Sequence, residues 1–269
     1  MHQGSFINGR WVTSGSNRLE VISPIDDRCV FSTVFGDDHA DQAIAAARAA
    51  APAWAALSRA DRETALRRIQ VEFARREDAI AEAIAREVGK PLWEARTEAG
   101  GLAPRIDLTC GLIAQDVADW DLPENRGCGR YLPLGVVSVL GPFNFPAHLA
   151  NGQILPALLL GNTVILKPSE KGAGVAALYS EAIAAAELPP GVFNMVQGDA
   201  RAGQQLTTDP RVDGVLFTGS TRVGKMILAA THQTPSKLVS LEMGGKNAAL
   251  IGEDAVLELT AKELLNAAF

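Results

Sequence analysis

The sequence predicts an α/β fold in which helices cover both faces of a doubly wound parallel sheet. Short apolar runs rich in β-branched residues, typical of strands buried on both faces, alternate with helical patterns through the second half of the chain. Right-handed crossovers would place these strands side by side in one sheet. The strands are expected at residues 136–140, 163–166, 192–196, 214–217 and 237–241. The helices between them are expected at residues 147–160, 173–187, 201–208 and 222–231.

The first half of the chain is predicted to form two hairpins and then a series of helices. An Asn-Gly turn lies within residues 6–12, and a Pro-Ile-Asp-Asp turn lies within residues 19–34. Ser58 begins a pattern that resembles a capping box. Helical periodicity is found over residues 41–52, 58–73, 79–88 and 92–117, the last with glycines and a proline that would break or kink it. Near the end, a strand is expected at residues 247–251 and a helix at residues 256–268.

The content of hydrophobic, charged and cysteine residues indicates what class of protein this is. The 269 residues are 47% hydrophobic and 21% charged, which is ordinary for a soluble globular protein of one or two domains. A net charge of −6 argues against a nucleic-acid binder. Three cysteines indicate a reducing compartment, and no apolar run reaches membrane-spanning length, so a cytoplasmic protein is expected. The histidines and cysteines form no spaced metal-binding set.

Polar residues follow the predicted strands at the edge where open α/β sheets bind ligands. Asn144 could donate its amide to an oxyanion, or could be a turn residue that hydrogen-bonds its own backbone. Lys167 and Glu170 could hold a ribose or a phosphate, or could form an ordinary exposed pair. The three positions together suggest a binding site.

Residues 219–225, Gly-Ser-Thr-Arg-Val-Gly-Lys, come close to a P-loop. Met226 stands where the P-loop needs a hydroxyl to hold magnesium, which argues against a nucleotide triphosphatase. Two interpretations remain open. Gly219 and Gly224 could leave room for a dinucleotide pyrophosphate at a helix N-terminus, or could merely allow close packing of helix and strand.

Glu242 follows an apolar strand and precedes Gly244 and another glycine, where a backbone and a ligand can approach closely. In a partly dry cleft its pKa would rise, which suits a general base. Alternatively, Glu242 could be a surface glutamate paired with Lys246.

Four motifs together resemble the aldehyde dehydrogenase family, and they occur in the order and at the spacing found there. They are Gly-Pro-Phe-Asn-Phe-Pro at residues 141–146, Gly-Asn-Thr-Val-Ile-Leu-Lys-Pro-Ser-Glu at 161–170, Phe-Thr-Gly-Ser at 217–220 and Leu-Glu-Met-Gly-Gly-Lys-Asn at 241–247. The resemblance covers essentially the whole chain. Within the family, residues 143–152 together with Leu-Glu-Met-Gly-Gly at residues 241–245 are most similar to succinylglutamic semialdehyde dehydrogenases of arginine catabolism.

The resemblance implies a Rossmann-like domain that binds NAD and a mechanism in which a cysteine thiolate attacks an aldehyde. Asn144 would stabilise the oxyanion, and Glu242 would act as general base. Glu170 would favour NAD over NADP, because its carboxylate would repel a 2′-phosphate. The residues implied for cofactor binding are Lys167, Glu170, Gly198, Phe217, Gly219, Ser220, Gly224 and Gly244.

This chain departs from the family pattern at the catalytic nucleophile. The family places its cysteine further beyond the Glu-Met-Gly-Gly motif than the 27 residues that follow Glu242 here. Cys29, Cys110 and Cys128 lie outside that motif. Cys128 is expected in the connector, and Cys29 and Cys110 are expected in packing. The sequence is therefore expected to be part of a longer protein. Its NAD-binding domain would be residues 1–242, with an oligomerisation ribbon at residues 121–135, and residues 243–269 would begin a catalytic domain. The alternative is a non-catalytic dinucleotide-binding module or pseudoenzyme.

Overall fold

A computed structural model describes residues 4–268, without the side chains of residues 113, 114, 125 and 268. The strands are β1 Ser5–Ile7, β2 Arg10–Val12, β3 Asn17–Ile22, β4 Cys29–Phe35, β5 Trp120–Asp121, β6 Cys128–Gly129, β7 Val136–Leu140, β8 Thr163–Lys167, β9 Phe193–Met195, β10 Gly214–Gly219 and β11 Leu238–Met243. The α-helices are α1 His39–Ala56, α2 Arg59–Val88, α3 Leu92–Gly100, α4 Pro104–Leu108, α5 Ala114–Asp116, α6 His148–Leu159, α7 Ala173–Ala185, α8 Ala200–Thr208, α9 Thr221–Thr231 and α10 Leu257–Ala268.

The main sheet has seven strands in the order β11-β10-β7-β8-β9-β1-β2. The strands from β7 to β11 run parallel, which confirms the predicted α/β fold. The first hairpin, β1 and β2, extends this sheet in the antiparallel direction beside β9, so the sheet is mixed rather than purely parallel. Chain order reverses between β7 and β10, and a crevice for ligands is expected at the carboxyl ends of strands at such a point.

Helices bury both faces of the sheet, as the continuous apolar strands require. On one face, Val137 and Val139 of β7 pack in a core with α2, α3, α6 and α7. On the other face, Val136 and Leu140 of the same strand pack with α1, α8 and α9. Alternate residues of β7 therefore enter two different cores.

Two helices are longer than the sequence pattern predicts. Helix α1 continues through Pro52 to Ala56, because the buried Trp54 beyond the proline packs in the core and donates its indole N–H to the Leu158 carbonyl, 3.0 Å away. Helix α2 is one helix of 30 residues rather than two. Its charged middle lacks apolar periodicity but contains ion pairs at helical spacing, including Glu72 with Arg75. The cap predicted at Ser58 is confirmed, because its side chain accepts from the Asp61 N–H, and Gly89 ends the helix in a left-handed conformation directly after the predicted limit at residue 88.

The strand predicted at residues 247–251 is wrong. These residues have no regular structure, and Leu250 is 98% exposed. An apolar run alone does not make a strand, and within residues 4–268 no neighbouring strand pairs with this one. Helix α10 forms as predicted.

Candidate active site at the carboxyl edge of the sheet

One row of paired residues crosses four strands at the carboxyl edge of the parallel sheet. Leu140 on β7 pairs with Lys167 on β8 and with Phe217 on β10, and Phe217 pairs with Leu241 on β11. The loops that carry Asn144, Glu170 and Ser220 leave the sheet just beyond this row. The topology therefore brings together the ends of strands that are far apart in sequence.

The loops that follow β7 and β8 pack directly on each other. The backbone N–H of Gly141 donates to the Lys167 carbonyl at 2.9 Å. The Lys171 ammonium lies 5.0 Å from the centroid of the Phe143 ring. Gly172 meets Pro146 so closely that an added Cβ would lie only 2.8 Å from the proline Cβ. These contacts connect the Asn144 segment to the Glu170 segment.

Asn144 lies in the first of these loops, and its side chain is exposed. No described residue hydrogen-bonds its amide, so the side chain is not used to stabilise its own turn. The amide remains available to a ligand.

Lys167 and Glu170 differ in environment. Lys167, the last residue of β8, is 8% exposed, and its ammonium donates to the Pro168 carbonyl at 2.9 Å. Burial lowers the pKa of Lys167, and the nearby carboxylates of Glu170 and Asp199 oppose that effect. Glu170 begins a one-turn 3₁₀-helix and is exposed. The pair is therefore not the ordinary exposed ion pair that the sequence allowed.

The turn between β10 and α9 is shaped by packing and by capping. Ser220 is the N-cap of α9, and its hydroxyl accepts from the Val223 N–H at 3.3 Å. Gly219 lies over the buried ring of Phe217, where a Cβ would collide with the ring. Gly224 lies against the Met243 side chain on β11, so close helix–strand packing accounts for this glycine. A pyrophosphate-binding role for the turn stays a prediction.

Glu242 is the fifth residue of β11 rather than the residue after the strand, and it is exposed. It pairs in register with Thr218, whose hydroxyl accepts from the Gln153 side chain on α6 at 3.1 Å. Glu242 and Thr218 therefore point toward the α6 face. The described residues include no ion pair between Glu242 and Lys246, and a Cβ at Gly244 would meet open space.

Gly198 lies between β9 and α8. It is buried, and a Cβ there would lie 2.8 Å from the Ala202 Cβ, so its immediate role is to let the start of α8 approach the sheet. One turn further along, Gly203 faces the aliphatic part of Lys167. Helix α8 thus packs over the buried Lys167 side chain.

Sequence reasoning missed two buried glutamates that cap the helices after β7 and β8. Glu98 accepts from the Ala147 and His148 amides at the start of α6. Glu87 accepts from the first amides of α7. In the sequence they are simply glutamates within predicted helices, and that pattern is also typical of solvent-exposed helix faces.

The cysteines are placed mostly as predicted. Cys110 is buried in the core, and burial raises the pKa of its thiol. Cys128 begins the short strand β6, which pairs with β5 in the connector. Cys29, which was expected in packing, is exposed at the start of β4.

Comparison with known proteins agrees with this geometry. A sequence profile of the aldehyde dehydrogenase family matches residues 11–269. The chain belongs to the aldehyde dehydrogenase family. The N-succinylglutamate 5-semialdehyde dehydrogenase of Burkholderia cenocepacia is 38% identical to it over 270 residues, and that of Chromohalobacter salexigens is 37% identical over 270 residues. The matches cover 98% and 99% of this chain and 55% of each relative. This chain thus spans about half the length of the curated relatives it matches.

Three solved structures share the fold. An aldehyde dehydrogenase from Pseudomonas syringae, solved with NAD+ and octanal, matches with a TM-score of 0.93 and 30% identity, over 99% of this chain and 55% of that one. Lactaldehyde dehydrogenase from Escherichia coli matches with a TM-score of 0.93 and 32% identity, over 98% and 57%. An NADP-dependent enzyme from Escherichia coli matches with a TM-score of 0.93 and 32% identity, over 99% and 56%.

Two kinds of feature are absent from residues 4–268. No helix there is long and apolar enough to cross a membrane. No group of three or more histidine, cysteine, aspartate or glutamate side chains is arranged to hold a metal ion.

Proposed function

We propose that this chain is the NAD-binding part of a dehydrogenase that oxidises an aldehyde to the carboxylic acid. The observation that carries the proposal is the paired row at the carboxyl edge, which brings the loops of Asn144, Glu170 and Ser220 to the point where strand order reverses. The family match supports the class of reaction.

The residues at this edge fit a dinucleotide. NAD would supply the acceptor for the hydride of the aldehyde. Lys167 and the exposed Glu170 would hold the adenosine ribose, and the start of α9 at Ser220 would face the pyrophosphate. Because a carboxylate at the ribose would repel a 2′-phosphate, Glu170 favours NAD over NADP. Gly198, Phe217 and Gly224, which pack among the elements of this edge, would support the cofactor site.

Two exposed side chains are assigned to the chemistry. Asn144 would donate its amide to the oxygen of the aldehyde as negative charge develops there. Glu242 would accept a proton from the attacking water, and from the thiol of a cysteine beyond residue 269. Both are accessible in the structure.

The substrate proposed is N-succinylglutamate 5-semialdehyde, which would place the protein in arginine catabolism. The support is the name shared by relatives that are 37% and 38% identical. We further propose a cytoplasmic homo-oligomer that uses residues 121–135 as an interface ribbon, with residues 1–242 as NAD-binding domain and residues 243–269 as the start of a catalytic domain. The β5–β6 pair supports the ribbon.

The proposal can be tested by comparing the activity of the 269-residue chain with that of the protein encoded when the gene is read beyond codon 269. The chain of 269 residues is expected to show no aldehyde oxidation, because its three cysteines lie outside the motif of the family nucleophile. The product of the gene, read beyond codon 269, is expected to contain that cysteine and to oxidise the semialdehyde with NAD. Oxidation by the 269-residue chain would refute the inactive-fragment prediction. A gene that ends at codon 269 would favour the alternative, a dinucleotide-binding module or pseudoenzyme.

A further inference from the structure

Glu98 caps a helix to which it does not belong. Its side chain is 0% exposed, and Oε1 accepts from the backbone N–H groups of Ala147 and His148 at 3.1 and 3.2 Å. These amides begin α6, whose N-cap residue is Ala147, a residue without a side-chain acceptor. The carboxylate therefore satisfies amides that the α6 sequence leaves unpaired, and its charge is favourable at a helix N-terminus.

Lys90 completes a small buried network. Its ammonium lies 2.8 Å from Glu98 Oε2 and 3.2 Å from the centroid of the Phe145 ring, and its side chain is 10% exposed. The second oxygen of Glu98 is thus paired, and the cation lies against an aromatic ring, an attractive arrangement. Lys90 and Glu98 come from the α2–α3 region, far in sequence from the loop that they contact.

The network contacts the backbone on the C-terminal side of Asn144. Phe145 is the next residue, and the two amides bound by Glu98 follow two and three positions after it. Because no described residue holds the Asn144 side chain itself, its position depends on where the backbone of this loop is held. An oxyanion donor is useful only when it is aimed at the developing charge within a fraction of an ångström.

We propose that Glu98 and Lys90 are positioning residues for Asn144. The inference rests on the proposed function, since Asn144 is an oxyanion donor only if the protein oxidises aldehydes. The network acts by holding Phe145 and the first turn of α6, so that the Asn144 amide is already oriented before substrate binds.

The variants separate positioning from general stability. Glu98→Ala removes both acceptors and is expected to lower kcat roughly 10- to 100-fold, the cost of misplacing a reacting group by about 1 Å. Glu98→Gln keeps an acceptor oxygen for the amides and is expected to recover much of that loss. Lys90→Met leaves the Glu98 charge unpaired and is expected to lower kcat as well. Glu94→Ala is the matched control, because Glu94 is on the same helix as Glu98 and lies 3.9 Å from Lys90, while no hydrogen bond or ion pair among the described residues joins Glu94 to the loop.

Two measurements on these variants decide the proposal. Steady-state kinetics of the full-length enzyme should show a loss of kcat for Glu98→Ala with the KM for NAD within two-fold of the wild type. Hydrogen exchange in the chain should show faster exchange over residues 143–149 in Glu98→Ala but not in Glu94→Ala. Unchanged exchange, or equal changes in kcat and in the KM for NAD, would overturn the positioning role. A wild-type enzyme without activity would refute the proposed function instead, and exchange would then show only whether the network holds the loop.

Discussion

The buried carboxyl group of Glu87 makes stability depend on pH in a direction opposite to that of most carboxylates. Burial raises the pKa of Glu87 to about 7 from an ordinary value of 4.5, although the amides of Val175 and Gly174 partly oppose the increase. The native state therefore holds this proton more tightly than the unfolded chain does. The stabilisation is complete below pH 4.5, is lost as pH rises toward 7, and stays lost above it.

The magnitude follows from the two pKa values. Their difference of about 2.5 corresponds to roughly 3 kcal/mol in the free energy of unfolding over the full range, of which about 2.5 kcal/mol falls between pH 5 and pH 8. Glu87→Gln cannot ionise but keeps a carbonyl oxygen for the α7 amides, 3.1 and 3.2 Å from the present carboxylate. The variant should therefore lack this part of the pH dependence.

The assay is urea denaturation of the wild type and of Glu87→Gln at several pH values from 5 to 8, with unfolding monitored by circular dichroism. The stability of the wild type relative to the variant should fall by about 2–3 kcal/mol across this range. Glu82→Gln, a change at an exposed position of the same helix, should leave the pH profile of the wild type intact. A difference between wild type and Glu87→Gln that stays constant with pH would refute the reasoning.

Three further changes probe the cofactor side of the cleft. Gly172→Ala places a Cβ 2.8 Å from the rigid Pro146 ring. This variant is expected to lower the free energy of unfolding by about 1–3 kcal/mol in urea titrations. Gly245→Ala is the control, because a Cβ there meets open space and should change stability little. Lys167→Met keeps the buried volume but removes the ammonium. The affinity for NAD, measured by calorimetry, should fall about 10-fold, which is the effect of about one charge-assisted hydrogen bond. An unchanged affinity would contradict a role of Lys167 in NAD binding. Glu170→Gln should bring the affinities for NAD and NADP closer by a similar factor, and a ratio equal to that of the wild type would show that Glu170 does not discriminate.

The sequence predicted the parallel sheet well because buried strands leave a direct signal. Val136 to Leu140 read as one apolar run, and the structure buries every residue of that strand. The error at residues 247–251 has the same origin, since an apolar run does not reveal whether a neighbouring strand exists. Likewise, the charged middle of α2 has no apolar stripe, so hydrophobic periodicity could not show that the helix continues through it. Ion pairs such as Glu72 with Arg75 join successive turns there.

The site was predicted only in part, for a different physical reason. Side chains beyond strand ends, such as Asn144, could be proposed as site residues because connection rules bring those ends together. Glu98 and Glu87 were missed because they act through tertiary contacts between distant segments. Before the fold is known, a glutamate that will be buried cannot be distinguished from one that will be exposed on the surface of a helix. The supporting network of a site is thus less visible in sequence than the groups it supports.

Calorimetric titration of the chain with NAD, and separately with NADP, tests the central claim most directly. If residues 4–268 hold a dinucleotide at the carboxyl edge of the sheet, NAD should bind with a Kd on the order of micromolar. NADP should bind at least about 10-fold more weakly, because the exposed Glu170 carboxylate repels the additional phosphate. Failure to bind either nucleotide would contradict the assignment of this edge as a cofactor site, and equal binding of both would contradict the assignment of Glu170.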